Sequence, residues 1–213
     1  MMPKVLNAQK NKPFKMPLYD SSPYHYGYVI GLNQMLFSID YKDIENATVS
    51  DAIAPGFTVG IVGNLRLAKH LDLRLIPTYS FGTRVMTYNN KNNRTTYPSL
   101  FELPLQIKYR SKRNFNQAAY VIAGTNYKFD VIPNNRHLNN EGQPKELLVK
   151  RNDIAAEIGA GFDFYTGYFK FGIELKMSYG LRNLIKDEYA NSEYLNQFDK
   201  LRSKTFYILL TFE

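Results

Sequence analysis

The chain has 213 residues, enough for one compact unit and at most two, and carries 17 Tyr and 14 Phe but neither Trp nor Cys. Without Cys there are no disulfides and no thiolate metal sites, and no apolar run reaches the roughly 18 residues a spanning helix needs, so a passage through a membrane would have to be made by strands closed into a barrel. The net charge of +8 comes from Lys and Arg scattered along the chain rather than gathered in a stripe, which argues against a nucleic-acid surface and for solvated loops and ion pairs.

Residues 1–22 read as a segment ahead of the folded unit. Leu6-Asn7-Ala8 before Gln9 ends on the small residue a signal peptidase site needs, but the charged and apolar parts of an export signal are missing upstream. Met1–Ala8 is expected to be the remnant of such a signal, with a periplasmic lead-in after it. A merely unstructured start explains the same residues equally well.

From residue 23 to 213 the organising pattern is period-two alternation in segments of about ten residues, the signature of membrane barrel strands. The first segment sets Tyr24, Tyr26, Tyr28, Ile30 and Leu32 against Gly27, Gly31 and Asn33. The second sets Phe57, Val59, Ile61, Leu65 and Leu67 against Gly56, Thr58, Gly60, Asn64 and Arg66. In the third, Leu71, Leu73, Leu75, Tyr79, Phe81 and Val85 oppose Asp72, Arg74, Thr78, Ser80, Gly82 and Arg84. The fourth opposes Phe101, Leu103, Leu105, Ile107 and Tyr109 to Glu102, Pro104, Gln106, Lys108 and Arg110, and Pro104 demands a bulge or a locally open ladder. A fifth runs over about Ala118–Phe129. The sixth (Ile154, Ala156, Ile158, Phe162, Phe164 against Glu157, Gly159, Gly161, Asp163) and seventh (Phe169, Phe171, Ile173, Leu175, Met177, Tyr179 against Lys170, Gly172, Glu174, Lys176, Ser178) form a hairpin over Thr166-Gly167. Phe206, Ile208, Leu210 and Phe212 mark the last, for a count of about eight.

Connections alternate in length. Those near Ala68-Lys69-His70, Ser111–Asn116 and Thr166-Gly167 are short, and those at about Ile39–Pro55, Asn89–Thr96, Ile132–Lys150 and Asn183–Ser203 are long and polar, with room for a short helical turn in Tyr189–Leu201. Short periplasmic turns and long outer loops are the outer-membrane pattern, and an even strand count leaves both termini periplasmic.

Alternation alone does not say which face is outside, since a soluble ligand-carrying barrel has apolar residues within. Here the apolar faces hold more volume than an eight-stranded interior can fit, so they must point outward. The other faces mix Gly and Ser with both charge signs, and an interior ion-pair network is expected from Arg66, Arg74, Arg84, Glu102, Lys108, Glu157, Asp163, Lys170, Glu174 and Lys176. Facing lipid at midplane, each Lys or Arg would cost about 2–4 kcal/mol. Tyr24, Tyr26, Tyr28, Tyr79, Tyr109, Tyr168 and Tyr179 are candidate girdle residues at headgroup level. The expected fold is all-β: a single eight-stranded antiparallel up-and-down transmembrane barrel with a filled polar interior.

Chemistry is not evident. There is no phosphate loop, no Gly-x-Ser-x-Gly and no His-Glu-x-x-His, and His25, His70 and His137 are isolated. Gly159, Gly161 and Gly167 lie in alternating strand and turn with no helix following. Glu157, Asp163 and Glu174 have the makings of a hydrolytic carboxylate pair, but a salt-bridge network explains them with fewer assumptions. No catalytic residue, cofactor, metal, nucleic acid or small-molecule substrate is therefore expected.

Several stretches resemble the PorT family of outer-membrane barrels: Tyr26-Gly27-Tyr28 with Gly31-Leu32-Asn33, Gly56-Phe57-Thr58-Val59-Gly60-Ile61 leading into Leu65-Arg66-Leu67, and Leu73-Arg74 through Pro77 to Ser80-Phe81-Gly82 and Arg84. Glu102-Leu103-Pro104-Leu105 with Lys108-Tyr109 and Ser111-Lys112-Arg113, then Glu157–Phe164 and Tyr168-Phe169-Lys170-Phe171, continue it in the same order, from about Tyr24 to Phe212. The resemblance implies an integral outer-membrane component of the type IX secretion system, needed for export of proteases or adhesins and for gliding, with other secretion-system proteins as partners beside the lipid. One departure is Glu213 following Phe212, where a barrel usually finishes on an aromatic residue. The alternative is a generic small outer-membrane barrel that displays its loops in the manner of an adhesin.

Overall fold

The computed structural model describes residues 15–41, 49–52, 54–88, 92–132, 150–184 and 198–213. Met1–Ala8, His137 and residues 189–197 of the expected helical turn lie outside the described residues. Phe198–Leu201 of that stretch is strand, because it continues the pairing of the last segment with the first.

Strong two-sided alternation makes each segment a strand with a wall face and a lumen face. In chain order the strands are β1 (Tyr24–Tyr41), β2 (Val49–Ala52), β3 (Pro55–Ala68), β4 (Leu71–Leu75), β5 (Thr78–Phe81), β6 (Arg84–Tyr88), β7 (Asn92–Thr96), β8 (Ser99–Arg110), β9 (Gln117–Asp130), β10 (Asn152–Tyr165), β11 (Lys170–Gly180) and β12 (Phe198–Phe212), preceded by a single 3-10 turn at Tyr19–Ser21. All pairings are antiparallel. The main sheet runs β1-β12-β11-β10-β9-β8-β4-β3-β5 and closes through β1 on β3. β4 and β5 are two halves of one stave, each held between β3 and β8. The ring therefore has eight staves.

That stave opens at Ile76-Pro77, beside Pro104 on β8. Ile76 N–H still donates to the Pro104 carbonyl (3.1 Å) and Ile61 N–H to the Pro77 carbonyl (3.0 Å), but neither proline has an N–H to return. Because the pairing on either side keeps the same register, this is an open ladder and not a bulge. Pro104 itself stays paired with Asn126 of β9.

Two expected loops are structured. β2 lies within Ile39–Pro55 and β7 within the Asn89–Thr96 connection, and with β6 between them they form a separate three-stranded sheet in the order β2-β6-β7. The expected third strand is accordingly broken, its Val85 belonging to this sheet. The break falls at Gly82-Thr83, where the ladder pairing with β3 and β8 ends. The short connections are Lys69-His70, Ser111–Asn116 and Thr166–Phe169. The last is closed by Thr166, whose N–H and hydroxyl both donate to the Phe169 carbonyl (3.0 and 2.6 Å).

The lumen and wall faces separate as the alternation requires. Along β8 the buried Glu102, Gln106, Lys108 and Arg110 alternate with the exposed Phe101, Leu103, Leu105, Ile107 and Tyr109. Ile208 on the wall is 53% exposed, whereas Arg74 and Glu174 in the lumen are 0% exposed. A soluble ligand-carrying barrel would show the reverse. Exposed tyrosines Tyr24, Tyr26, Tyr28, Tyr109 and Tyr168 ring the short-turn end, and Tyr79 and Tyr179, half-buried, stand nearer the long loops. From Tyr109 to Phe101 is roughly 27 Å of strand, which at barrel tilt gives about 20 Å of height, close to the apolar band of such barrels.

The filled polar interior also takes in apolar side chains. Val29, Val62, Ile76, Tyr207 and Leu209 form a buried apolar cluster beside the open stave. Met35, Phe37, Ile122 and Leu201 also point inward. Gly and Ser on neighbouring staves leave volume that charged stems alone do not fill.

Candidate functional site

The distinctive feature of this molecule is its lumen, filled by charged side chains stacked in successive levels along β8. At the short-turn end, residues 15–22 fold across the opening. Asp20 accepts from Arg66 Nη2 (3.0 Å) and Arg110 Nη1 (3.1 Å) and lies 3.5 Å from Arg113, while Arg110 Nε pairs with Asp72 at 2.8 Å. Tyr19 stacks on His25 at 3.8 Å, and its hydroxyl donates to Glu213 Oε2 at 3.1 Å. Arg113 donates to the Lys15 carbonyl and lies over the Tyr165 ring at 3.7 Å. Burial alone would raise the Asp20 carboxyl, but hydrogen bonds from Arg110 and Arg66 and their charges outweigh it and hold the group below its ordinary 3.8.

One level in, Lys108 pairs with Asp163 at 2.8 Å, and Lys170 bridges Asp163 (3.8 Å) and Glu213 (2.9 Å). Glu213 thus continues the inward parity of Thr211 and turns into the lumen, while Phe212 faces out beside Phe169 and Phe171. Next, Arg74 Nη1 donates to Glu174 Oε2 at 2.7 Å, and Tyr120 donates to the same oxygen at 3.0 Å. The Lys108 ammonium lies 3.6 Å from the Tyr120 ring centre. Gly161 makes room for that ring: a Cβ there would fall 2.5 Å from Tyr120 Cζ.

Above it, Glu157 accepts from Gln106 (2.5 Å) and Asn126 (2.9 Å) and pairs with Lys176 at 3.2 Å. Asn126 also donates to Glu102 (2.6 Å), which accepts from Tyr207 at 2.8 Å. Lys128 donates to Thr205 at 3.4 Å, and towards the long loops Ser203 donates to Asp153.

Of the ten residues expected in the lumen network, Arg66, Arg74, Glu102, Lys108, Glu157, Asp163, Lys170, Glu174 and Lys176 thus stand in these levels. The Arg84 side chain lies outside the described residues, and its backbone is in β6, beyond the barrel stave. Asp20, Asp72, Arg110, Arg113, Tyr120, Lys128, Asp153, Tyr207 and Glu213 join them without having been singled out. The parity of Asp72, Arg110, Lys128 and Glu213 was readable from the alternation, whereas the docking of Asp20 depends on a chain reversal that no periodicity encodes.

Chemically this lumen neutralises itself. Glu157 and Glu174, the carboxylates a hydrolase would need, are each clamped by a cation and are at most 4% exposed. Among the described residues no group of His, Asp and Glu is placed to hold a metal ion. A groove of about 470 Å³ lies on the outer wall, where Ala119 and Ala160 sit low between Tyr109, Val121, Phe162 and Leu175.

A closed ring of eight antiparallel staves, with hydrocarbon outside and paired charges within, defines a small transmembrane barrel of the outer-membrane type. The chain belongs to the outer membrane protein beta-barrel domain family, whose model matches residues 7–186. That match is to outer-membrane barrels in general and does not single out PorT proteins. Among solved structures, OprG from Pseudomonas aeruginosa is similar at 11% identity, over 89% of this chain and 92% of that one, with a TM-score of 0.51. Neisserial surface protein A (NspA) matches at 12% identity, over 89% and 98%, with a TM-score of 0.47. Ail, the attachment invasion locus protein of Yersinia pestis, solved in complex with the heparin analogue sucrose octasulfate, matches at 11%, over 90% and 99%, with a TM-score of 0.45. Likeness at such identities concerns the fold alone. No curated protein sequence matches this chain.

Proposed function

We propose that this protein is a non-enzymatic outer-membrane barrel with no solute pathway, acting through what it displays at the two membrane faces, with long loops outside and both termini periplasmic. The observation that carries this is the lumen: successive levels of paired charges from Asp20 to Asp153 fill it, and residues 15–22 cover the short-turn end. A transporter needs a path, and an enzyme needs a reachable reacting group.

The family match supports the plainer version of this role, a small barrel displaying its loops in an adhesin-like manner. The finer version, a component of the type IX secretion system, is supported by the residue-level resemblance to PorT proteins, above all Leu73-Arg74 with Pro77 and Glu102-Leu103-Pro104-Leu105. In that version the loops and turns contact other secretion proteins.

Gene deletion with complementation by loop-shortened and turn-altered variants separates the two. Loss of protease export, restored by wild type and not by a variant lacking one loop or turn, is expected of a secretion component. Normal export with altered attachment is expected of loop display. Export and attachment both unchanged would contradict either.

A further inference from the structure

The lipid-facing wall is apolar or uncharged almost everywhere. Among the wall residues whose side chains are described, the charged ones are Lys200, Arg202 and Lys204, all basic and all on β12 near the long loops, and the register pairs Lys200 with Asp40 of β1. Their outward parity is set by the buried Leu201, Ser203 and Thr205 between them. A cation on the wall is most unfavourable at midplane and tolerated at headgroup level, so this part of β12 marks where the wall meets anionic headgroups.

Neighbouring strands complete the patch. The register sets Lys204 beside Tyr179 of β11 and Leu36 of β1, and Arg202 beside Ser38. Arg202 Nη1 donates to the Tyr179 hydroxyl at 3.4 Å, and Lys204 Nζ lies 5.2 Å from the Phe206 ring, so both stems run along aromatic surface. The Leu184 N–H donates to Leu201 and the Lys150 N–H to Leu184 (2.8 and 2.9 Å), which draws the ends of β10 and β11 to the same place. They bring the exposed Arg182 and Arg151. Directly below lies bare hydrocarbon: Ile154, Ile158, Leu175 and Ile208.

We propose that the long-loop end of β10, β11 and β12 binds a phosphorylated glycolipid of the outer leaflet, its phosphates on Lys200, Arg202 and Lys204 and its acyl chains along the wall beneath. Lys200 and Lys204 stand four residues apart along β12, roughly 13 Å of strand, far enough for a headgroup with two separated phosphates. Arg supplies the forked donors that phosphate oxygens match. The proposal rests on the orientation given above, with long loops outside.

The test uses the full barrel in detergent, offered bisphosphorylated lipid A, dephosphorylated lipid A or phosphatidylglycerol, with bound lipid counted by native mass spectrometry. Wild type is expected to retain bisphosphorylated lipid A at least about tenfold better than either other lipid, as loss of two or more phosphate contacts implies. Arg202→Gln with Lys204→Gln, folded by its heat-dependent gel mobility, is expected to lose that preference. Lys112→Gln, at the opposite end, is expected to keep it. Should the double variant not fold, Lys200→Gln with Arg182→Gln carries the same test. Equal retention of the three lipids by wild type, or an unchanged preference in the folded variant, would overturn the proposal. Protease added to intact cells cutting the short turns rather than the long loops would overturn the orientation instead, a result separable from lipid retention in detergent.

Discussion

Arg74 and Glu174 meet fully buried from opposite sides of the barrel, one hundred residues apart in sequence. Removing one partner leaves the other as an uncompensated charge, so Glu174→Gln is expected to destabilise the barrel by about 3 kcal/mol, within the usual 3–5 kcal/mol for broken buried pairs. Adding Arg74→Met is expected to recover part of that loss, as read by urea unfolding in micelles. A double variant no more stable than Glu174→Gln alone would contradict the pairing. Asp20 gives a pH-dependent counterpart. Its carboxyl is held below 3.8 in the folded protein, so the anchoring of residues 15–22 is fully present above that value and is lost as pH falls through the lower folded value. Backbone NMR signals of residues 15–22 are expected to stay dispersed at neutral pH and collapse only below 3.8. In Asp20→Asn they are expected to be collapsed already at neutral pH. At this scale, strand parity in the sequence announced which side of the wall Arg74 or Glu174 would take, but not which partner each would find. Partner choice depends on which staves face each other across the lumen, and that follows from strand count and register, not from local pattern.

Among the elements, the stave formed by β4 and β5 shows how far a local rule reaches. Pro104 required an interrupted ladder, and the opening is there, opposite Ile76-Pro77. What the sequence did not disclose is that two prolines on adjacent staves would share one opening, since neighbouring staves are joined only through the closed register. Pro104→Ala restores an N–H facing Ile76. The added hydrogen bond, about 1 kcal/mol, is nearly offset by the greater freedom of the unfolded chain, about 0.4–1 kcal/mol. The variant is expected to lie within about 1 kcal/mol of wild type by urea unfolding, while hydrogen exchange at Ile76 slows. A loss of several kcal/mol would mean that the opening is itself required. The β2-β6-β7 sheet went unread because Asn-rich, weakly alternating segments such as Asn92–Thr96 carry the composition of loops. They become strands only once the barrel holds their ends together.

For the whole molecule, the account stands or falls on polarity: Leu103, Leu175 and Ile208 against lipid, and Ser178 and Thr205 in a lumen full of paired charges. This much was legible beforehand, because aliphatic volume on the outward faces exceeds what eight staves can enclose. The apolar cluster around Val62 and Leu209 and the covering of one end by residues 15–22 were not, since both depend on how the closed ring shares its interior space. The chain has no Cys, so single cysteines placed at these five positions report unambiguously. The decisive measurement labels each with a fluorophore, refolds the barrel into vesicles of brominated phospholipid and records quenching. Strong quenching at positions 103, 175 and 208, with little at 178 and 205, is predicted. Quenching at 178 and 205 with none at the other three, or none anywhere in a folded protein, would contradict the membrane-spanning barrel and the functional reading built on it.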